Sequence, residues 1–411
     1  MKKLLTLAAG ATLVGQTFAF HAGADPAVTS SDSDSLRLDT FVFTEVYSVA
    51  TTPVKDQNKS GTCWCFAGTS FFEDEILRKG GDTMDLSEMF TVRNCYADKA
   101  DRFVRMYGTT NLAAGGSILD VPYVWKKYGA MPEQAYAGLE YGEKKHVHGE
   151  LDNGLRAFVS AVQKKPNKKI STAWRKAVDG ILDAYLGEVP ATFTYNGKTY
   201  TPRSFADATG INPDDYVALT SFTHYPFYED YIFDVPDNWL NGKYMNIPLE
   251  ELKAVTDNAL KNGYPVVWAA DVSEPGFKWR EGVAMIPKGK DEADMNGTEL
   301  SRWVKLTANE RQNDRYKFSG PVAEIEVTQE LRQEMYDSQE TTDDHGMELV
   351  GIATDQTGKP YYKVKNSWDN TQKYGGFFYC SEPYFLAKTL NILVHKDAVP
   401  KDIAKKIGLK K

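Results

Sequence analysis

Apolar residues at steps of three and four mark the helices of this chain, and short unbroken apolar runs mark its strands. Cys65, Thr69, Phe72 and Ile76 step by four, three and four, which predicts a helix over Cys63 to Lys79 with one apolar face. Thr62 or Ser60 is positioned to cap its start, and Gly80-Gly81 stops it. Asp85-Leu-Ser-Glu88 opens a second helix through Cys95. Gly115-Gly116 precedes a third, Ser117 to Lys127, closed by Gly129. Amphipathic helices follow at about 149–164 and 172–187, then a basic loop and more helix. Pro248-Leu-Glu-Glu-Leu-Lys starts a helix to Lys261, and Val266-Val-Trp-Ala-Ala270 reads as a buried strand ending at Asp271. His345 heads a polar turn that runs into a second buried strand. After a turn over Asp355 to Pro360, an alternating strand begins at Tyr361 and ends in Asn366-Ser367-Trp368.

Chemistry concentrates in Gln57-Asn-Lys-Ser-Gly-Thr-Cys-Trp-Cys-Phe66. The thiolate attacks carbonyls and the thiol does not, so a nucleophilic cysteine needs help to ionise. Cys63 begins the predicted helix, whose N-terminus offers partial positive charge and unpaired N–H groups. This run resembles the nucleophile site of papain-like cysteine peptidases. Such enzymes carry an imidazole at the head of one strand and an orienting asparagine at the end of the next, the places held here by His345 and Asn366. An imidazole takes a thiol proton near neutral pH, and an amide can fix its tautomer without adding charge. Gln57, with a backbone N–H near Cys63, would bind the oxyanion. Each residue alone has an ordinary structural explanation, since a lone cysteine is usually core. Their joint order along the chain is what points to catalysis. Cys65 lies about 200° from Cys63 on the helical wheel, at roughly 100° per residue, and is expected in the core. A zinc site on Cys63-Trp64-Cys65 is disfavoured because Cys-x-Cys without a second pair is poor ligand spacing. Neither metal nor cofactor is expected.

From Cys63 to His345 is 282 residues, against roughly 130–150 in the simple papain pattern. The excess falls mostly within about 141–245. A long insertion there matches the bleomycin hydrolase and aminopeptidase C group. The resemblance continues in Tyr200-Thr-Pro-Arg-Ser-Phe205, His224-Tyr-Pro-Phe-Tyr228, the run from Asn246 through Asp271, and Val399-Pro400. It implies an α+β, papain-like fold over residues 41–411, with a helical half, a sheet-barrel half and a helical insertion. Gly115 and Gly116 would line the cleft with bare backbone, and the flanking Trp64, Asp344 and Trp368 complete the expected substrate-binding set. The resemblance further implies peptide substrates, aminopeptidase activity and a homo-hexameric ring whose C-terminal tails enter the clefts. An endopeptidase of the same fold and a silent peptide-binding scaffold are the alternatives. The group's tail is longer than Lys401 to Lys411, which ends Gly-Leu-Lys-Lys. Extended at about 3.3–3.6 Å per residue, Pro400 to Lys411 would reach roughly 40 Å, into a neighbouring cleft. Simple secreted members bridge a cysteine three residues before the nucleophile, and Ser60 stands there instead.

The remaining sequence bounds location and partners. Met1-Lys-Lys, the apolar run Leu4 to Gly15 and small residues at Ala22-Gly-Ala24 read as an export signal over 1–24, giving a periplasmic or secreted protein. Residues 25–40 form a polar lead-in. The apolar run is too short to span a bilayer, and no later run is long enough. Loss of Lys2 and Lys3 with the leader moves the net charge from −8 to −10. An acidic chain without a basic block argues against nucleic acid or anionic membrane as a partner. With Cys63 free, Cys65, Cys95 and Cys380 allow at most one intramolecular disulfide.

Overall fold

The computed structural model describes residues 38–290 and 292–410. The expected leader, and the lead-in up to residue 37, lie outside the described residues. Five helices occupy the first half: α1 (Cys63–Arg78), α2 (Glu88–Arg105), α3 (Asp120–Tyr128), α4 (Gly149–Gln163) and α5 (Ala173–Leu186). Ser87 caps α2 by accepting the Phe90 N–H, while Gly129 at φ 96° ends α3. Leu151, Leu155 and Val159 of α4 and Val178, Leu182 and Leu186 of α5 follow the expected periodicity and join one apolar cluster with α1, α2 and α3. The stretch expected as a basic loop and helix is a hairpin, Phe193–Tyr195 against Lys198–Tyr200, before the helix Pro202–Ala208. Phe193, Tyr195 and Tyr200 pack around Phe205.

Cys65 is in the core, 0% exposed, but α1 has no single apolar face. Every residue from Trp64 to Ile76 is buried, including Glu73, Asp74 and Glu75. Three acids survive there because partners converge on them. Lys55 Nζ meets Glu73 at 2.8 Å and Glu88 at 2.7 Å, and Lys365 Nζ meets Asp74 at 3.4 Å and Glu348 at 3.9 Å. Thr52 Oγ1 donates to Glu73, and Ser70 Oγ donates to Glu348 at 2.5 Å.

A mixed sheet fills the second half. Its ladder runs Asp230–Ile232, Lys243–Asn246, Tyr216–Thr220, Thr389–His395, Val266–Ala270, His345–Asp355, Pro360–Lys365, Phe377–Ser381, Val283–Ala284, Phe277–Lys278. Phe43–Ser48 pairs with the outer half of His345–Asp355. Both ends of this path stay unjoined among the described residues, so the barrel expected from the resemblance is not a closed ladder. The helix Leu249–Lys261 packs Leu252, Val255, Ala259 and Leu260 onto the sheet in a second apolar cluster. The strand Val266–Ala270 has the expected bounds and is buried throughout.

The tail is not extended. Pro400 leads into a helix, Lys401–Lys406, that buries Ile403 and Ala404 in the sheet's cluster, with Ile407 and Leu409 packed beside them. Lys406 also pairs with Glu251. Apolar burial competes with extension here and wins, so Pro400 to Leu409 stays on its own sheet.

Candidate active site

Cys63 is the first residue of α1, and in this first turn the Cys65 N–H already bonds the Thr62 carbonyl at 2.9 Å. Thr62 is the N-cap residue, but its side chain makes no cap bond, and Ser60 and Thr62 share a hydrogen bond at 2.5 Å instead. Backbone N–H groups of Gly346 and Trp64 reach the Cys63 sulfur and favour its thiolate. Burial outweighs them and, with the carboxylates of Asp343 and Asp237 adding to it, pushes the thiol up to about 11.

His345 opens its strand at the same place. Its strand approaches α1 closely at Gly346, where a Cβ would lie 3.0 Å from Trp64 Cα and 3.2 Å from Trp64 N. Both neighbours are helix backbone, so a side chain at 346 would prise the strand from the helix. Gly346→Ala is expected to cost about 1–3 kcal/mol of stability through overpacking. A larger fractional loss in kcat should accompany it, measured against unfolding by urea. An alanine variant with wild-type kcat would show that this close approach does not set the site's geometry.

The imidazole is oriented from its far side. His345 Nε2 and Asn366 Oδ1 lie 2.7 Å apart. The Ser367 backbone N–H donates to the same Oδ1 at 2.8 Å, which fixes that atom as the amide oxygen. Nε2 therefore carries the hydrogen, and Nδ1 is left with its lone pair. Trp368 covers the ring at a centroid distance of 4.6 Å. Burial pulls the imidazole down to about 4, against the help of Asn366 and Asp344.

Gln57 is 6% exposed and held by Ser367, whose hydroxyl donates to Gln57 Oε1 at 2.7 Å. The amide nitrogen is thereby the end left for another acceptor. Ser367 thus orients both amides of the site. In the sequence its place between Asn366 and Trp368 is its one local clue.

The other expected residues are placed as follows. Gly116 lines the cavity with Cys63, Trp64, Asp344 and His345. Trp64 is 1% exposed and donates from Nε1 to the Ala114 carbonyl at 2.9 Å. Asp344 is engaged by Thr342 Oγ1 at 2.8 Å and by the Ser273 N–H at 3.1 Å. Gly115 sits under Asp237, whose carboxylate would collide with a Cβ there. Cys65, Cys95 and Cys380 are buried, and all four cysteines are free.

The Peptidase C1-like family model matches residues 11–287 and 283–410. The chain belongs to that family. It is thus a cysteine peptidase by family, and its relatives are spread along nearly its whole length. Aminopeptidase C of Listeria monocytogenes is 22% identical over 396 residues, covering 87% of this chain and 83% of the relative. Aminopeptidase G of Lactobacillus delbrueckii subsp. lactis is 23% identical over 408 residues, covering 87% and 85%. The mitochondrial cysteine proteinase 1 of Saccharomyces cerevisiae is 23% identical, covering 90% and 80%. A crystal structure of PepW from Lactobacillus rhamnosis HN001 superposes with a TM-score of 0.66 at 20% identity, covering 89% and 84%. That likeness establishes the papain-like fold of this peptidase. Among the described residues no helix is long and apolar enough to cross a membrane.

Proposed function

We propose that this peptidase is a cysteine-type aminopeptidase using Cys63, His345, Asn366 and Gln57. The observation that carries the reading is the imidazole tied through Nε2 to Asn366, with its basic Nδ1 free, lining one cavity with a cysteine at a helix N-terminus. Burial disfavours an isolated charge on either partner. Proton transfer from the thiol to Nδ1 creates both charges together, so each then gains an opposite neighbour. The thiolate attacks the scissile carbonyl, and the oxyanion is met by the Gln57 amide and the Cys63 N–H. His345 returns the proton to the leaving amine, giving a thioester that water hydrolyses with the same imidazole as base. We read the two apolar clusters as the two walls of the substrate cleft, supported by Trp64, next to Cys63, in one and Met347, two residues after His345, in the other.

The choice of aminopeptidase over endopeptidase leans on the relatives named aminopeptidase C and G. It is tested by comparing kcat/KM for leucyl and N-acetyl-leucyl anilides. The free amine should be cleaved at least about tenfold faster, the scale of one lost charge-assisted contact. Equal rates would replace the reading with an endopeptidase.

A further inference from the structure

The cavity beside Cys63 holds more acceptors than the thiol–imidazole pair uses. It is lined by Asp237, Asp343 and Asn391 together with Cys63 and His345. Asp343 makes no hydrogen bond or ion pair among the described residues. Burial and the facing carboxylate of Asp237 push it up to about 7. Asn391 gives an independent observation. It is 4% exposed, and its Oδ1 is buried without a partner. An unmet buried acceptor is costly, so a site that keeps one is matched to a donor that arrives from outside.

Asp237 is held in place rather than free to swing. Asn238 Nδ2 donates to the Phe233 and Gly242 carbonyls, each at 3.0 Å, and the Gly242 N–H returns to Asn238 Oδ1 at 2.8 Å. Trp239 Nε1 donates to the buried Asp120 at 2.7 Å, and Asn111 Nδ2 donates to Asp237 Oδ1 at 2.5 Å. Lys99 partly offsets the burial of Asp237, but its ammonium is hydrogen-bonded to the Ala113 and Gly115 carbonyls. The two carboxylates and the amide oxygen therefore face one small space with no cation of their own in it.

Chemistry narrows the ligand. The unmet groups are all acceptors, and an ammonium group carries three donors and accepts nothing. In a substrate, the N-terminal ammonium is one carbon away from the carbonyl that Cys63 attacks. An anchor for the residue being released must then share the nucleophile's cavity, as these acceptors do.

We propose that Asp343 and Asp237, with the Asn391 amide oxygen, bind the free N-terminal ammonium of the peptide and limit release to single residues. The proposal rests on the aminopeptidase reading and names its specificity determinant.

The test uses the full chain and its Asp343→Asn and Asp237→Asn variants, with leucyl, N-acetyl-leucyl and N-acetyl-arginyl anilides. Each substitution should lower the ratio of kcat/KM for free over acetylated leucyl substrate by roughly ten- to a hundredfold, the worth of a hydrogen bond to a charged group. A ratio unmoved by either substitution overturns the proposal, even if both rates fall together. Selective loss on the arginyl substrate also overturns it, because the acids would then serve a basic side chain. A second arm measures leucinamide and N-acetyl-leucinamide binding to Cys63→Ala by calorimetry. Asp343→Asn in that background should weaken leucinamide alone. If neither anilide is cleaved by the wild type but this dependence persists, the peptidase reading fails and the anchor stands. If cleavage favours the free amine and the ratio does not move, the anchor fails and the reading stands.

Discussion

Cys63→Ala is expected to abolish peptide hydrolysis, and His345→Ala to lower kcat by about 10⁴-fold or more, the scale of losing one member of such a unit. The two losses should not add, because thiol and imidazole work as one proton-sharing pair. Their separate roles show in thiol labelling. With His345 present, Cys63 can ionise by passing its proton to Nδ1, so iodoacetamide should modify it stoichiometrically near pH 6. With His345→Ala, the thiol stands alone where burial pushes it up to about 11. Its thiolate fraction, and the labelling rate, should then be very small at pH 6 and rise roughly tenfold per pH unit on the way up. Cys65, Cys95 and Cys380 are buried and also pushed up, which keeps the readout on Cys63. Asn366→Ala should cost less than His345→Ala, since the amide only orients the ring. Wild-type turnover by Cys63→Ala, or pH 6 labelling of His345→Ala at the wild-type rate, would remove the mechanism.

The largest expected effect on stability lies behind the site. Lys365 is 4% exposed and sits between Asp74 and Glu348, 0% and 1% exposed. It is paired in register with Glu348 across two strands and is adjacent to Asn366 in the chain. Lys365→Met keeps most of the volume but leaves two buried carboxylates facing each other, expected to cost about 3–5 kcal/mol near pH 7. Burial already raises Asp74, and burial with the Asp74 charge raises Glu348, while Lys365 opposes both shifts. Without the lysine both rise further. A carboxyl raised in the folded state binds its proton more tightly there, so its contribution to stability is present at low pH and lost as pH rises through the folded value. The gap between variant and wild type should therefore widen from pH 5 to pH 7 in urea unfolding. An equal gap at both would assign the loss to packing instead of charge.

This network explains what was legible in the sequence and what was not. The helices at Gly149–Gln163 and Ala173–Leu186 and the strand Val266–Ala270 follow local periodicity, and their bounds came within a residue or so of expectation. Local pattern gives α1 to within a residue, but not its all-round burial, because Glu73 and Asp74 look like a wet face until Lys55, Thr52 and Lys365 arrive from other segments. The hairpin at Phe193–Tyr200 was missed because its aromatic residues matter only once Phe205 packs among them. Cys63, Gln57, His345 and Asn366 stood out because each occupies a recognisable local motif. Asp237, Asp343 and Asn391 have no such frame, since they come from segments that meet only in the folded chain.

The packed tail bears on how durable the protein's selectivity is. Ile403, Ala404, Ile407 and Leu409 are apolar cover for the sheet, whereas Asp237 and Asp343 stand on other segments beside Cys63. Peeling of Pro400 to Leu409 would then be felt first as lost thermal tolerance, with the acids beside Cys63 left in place in the molecules that remain folded.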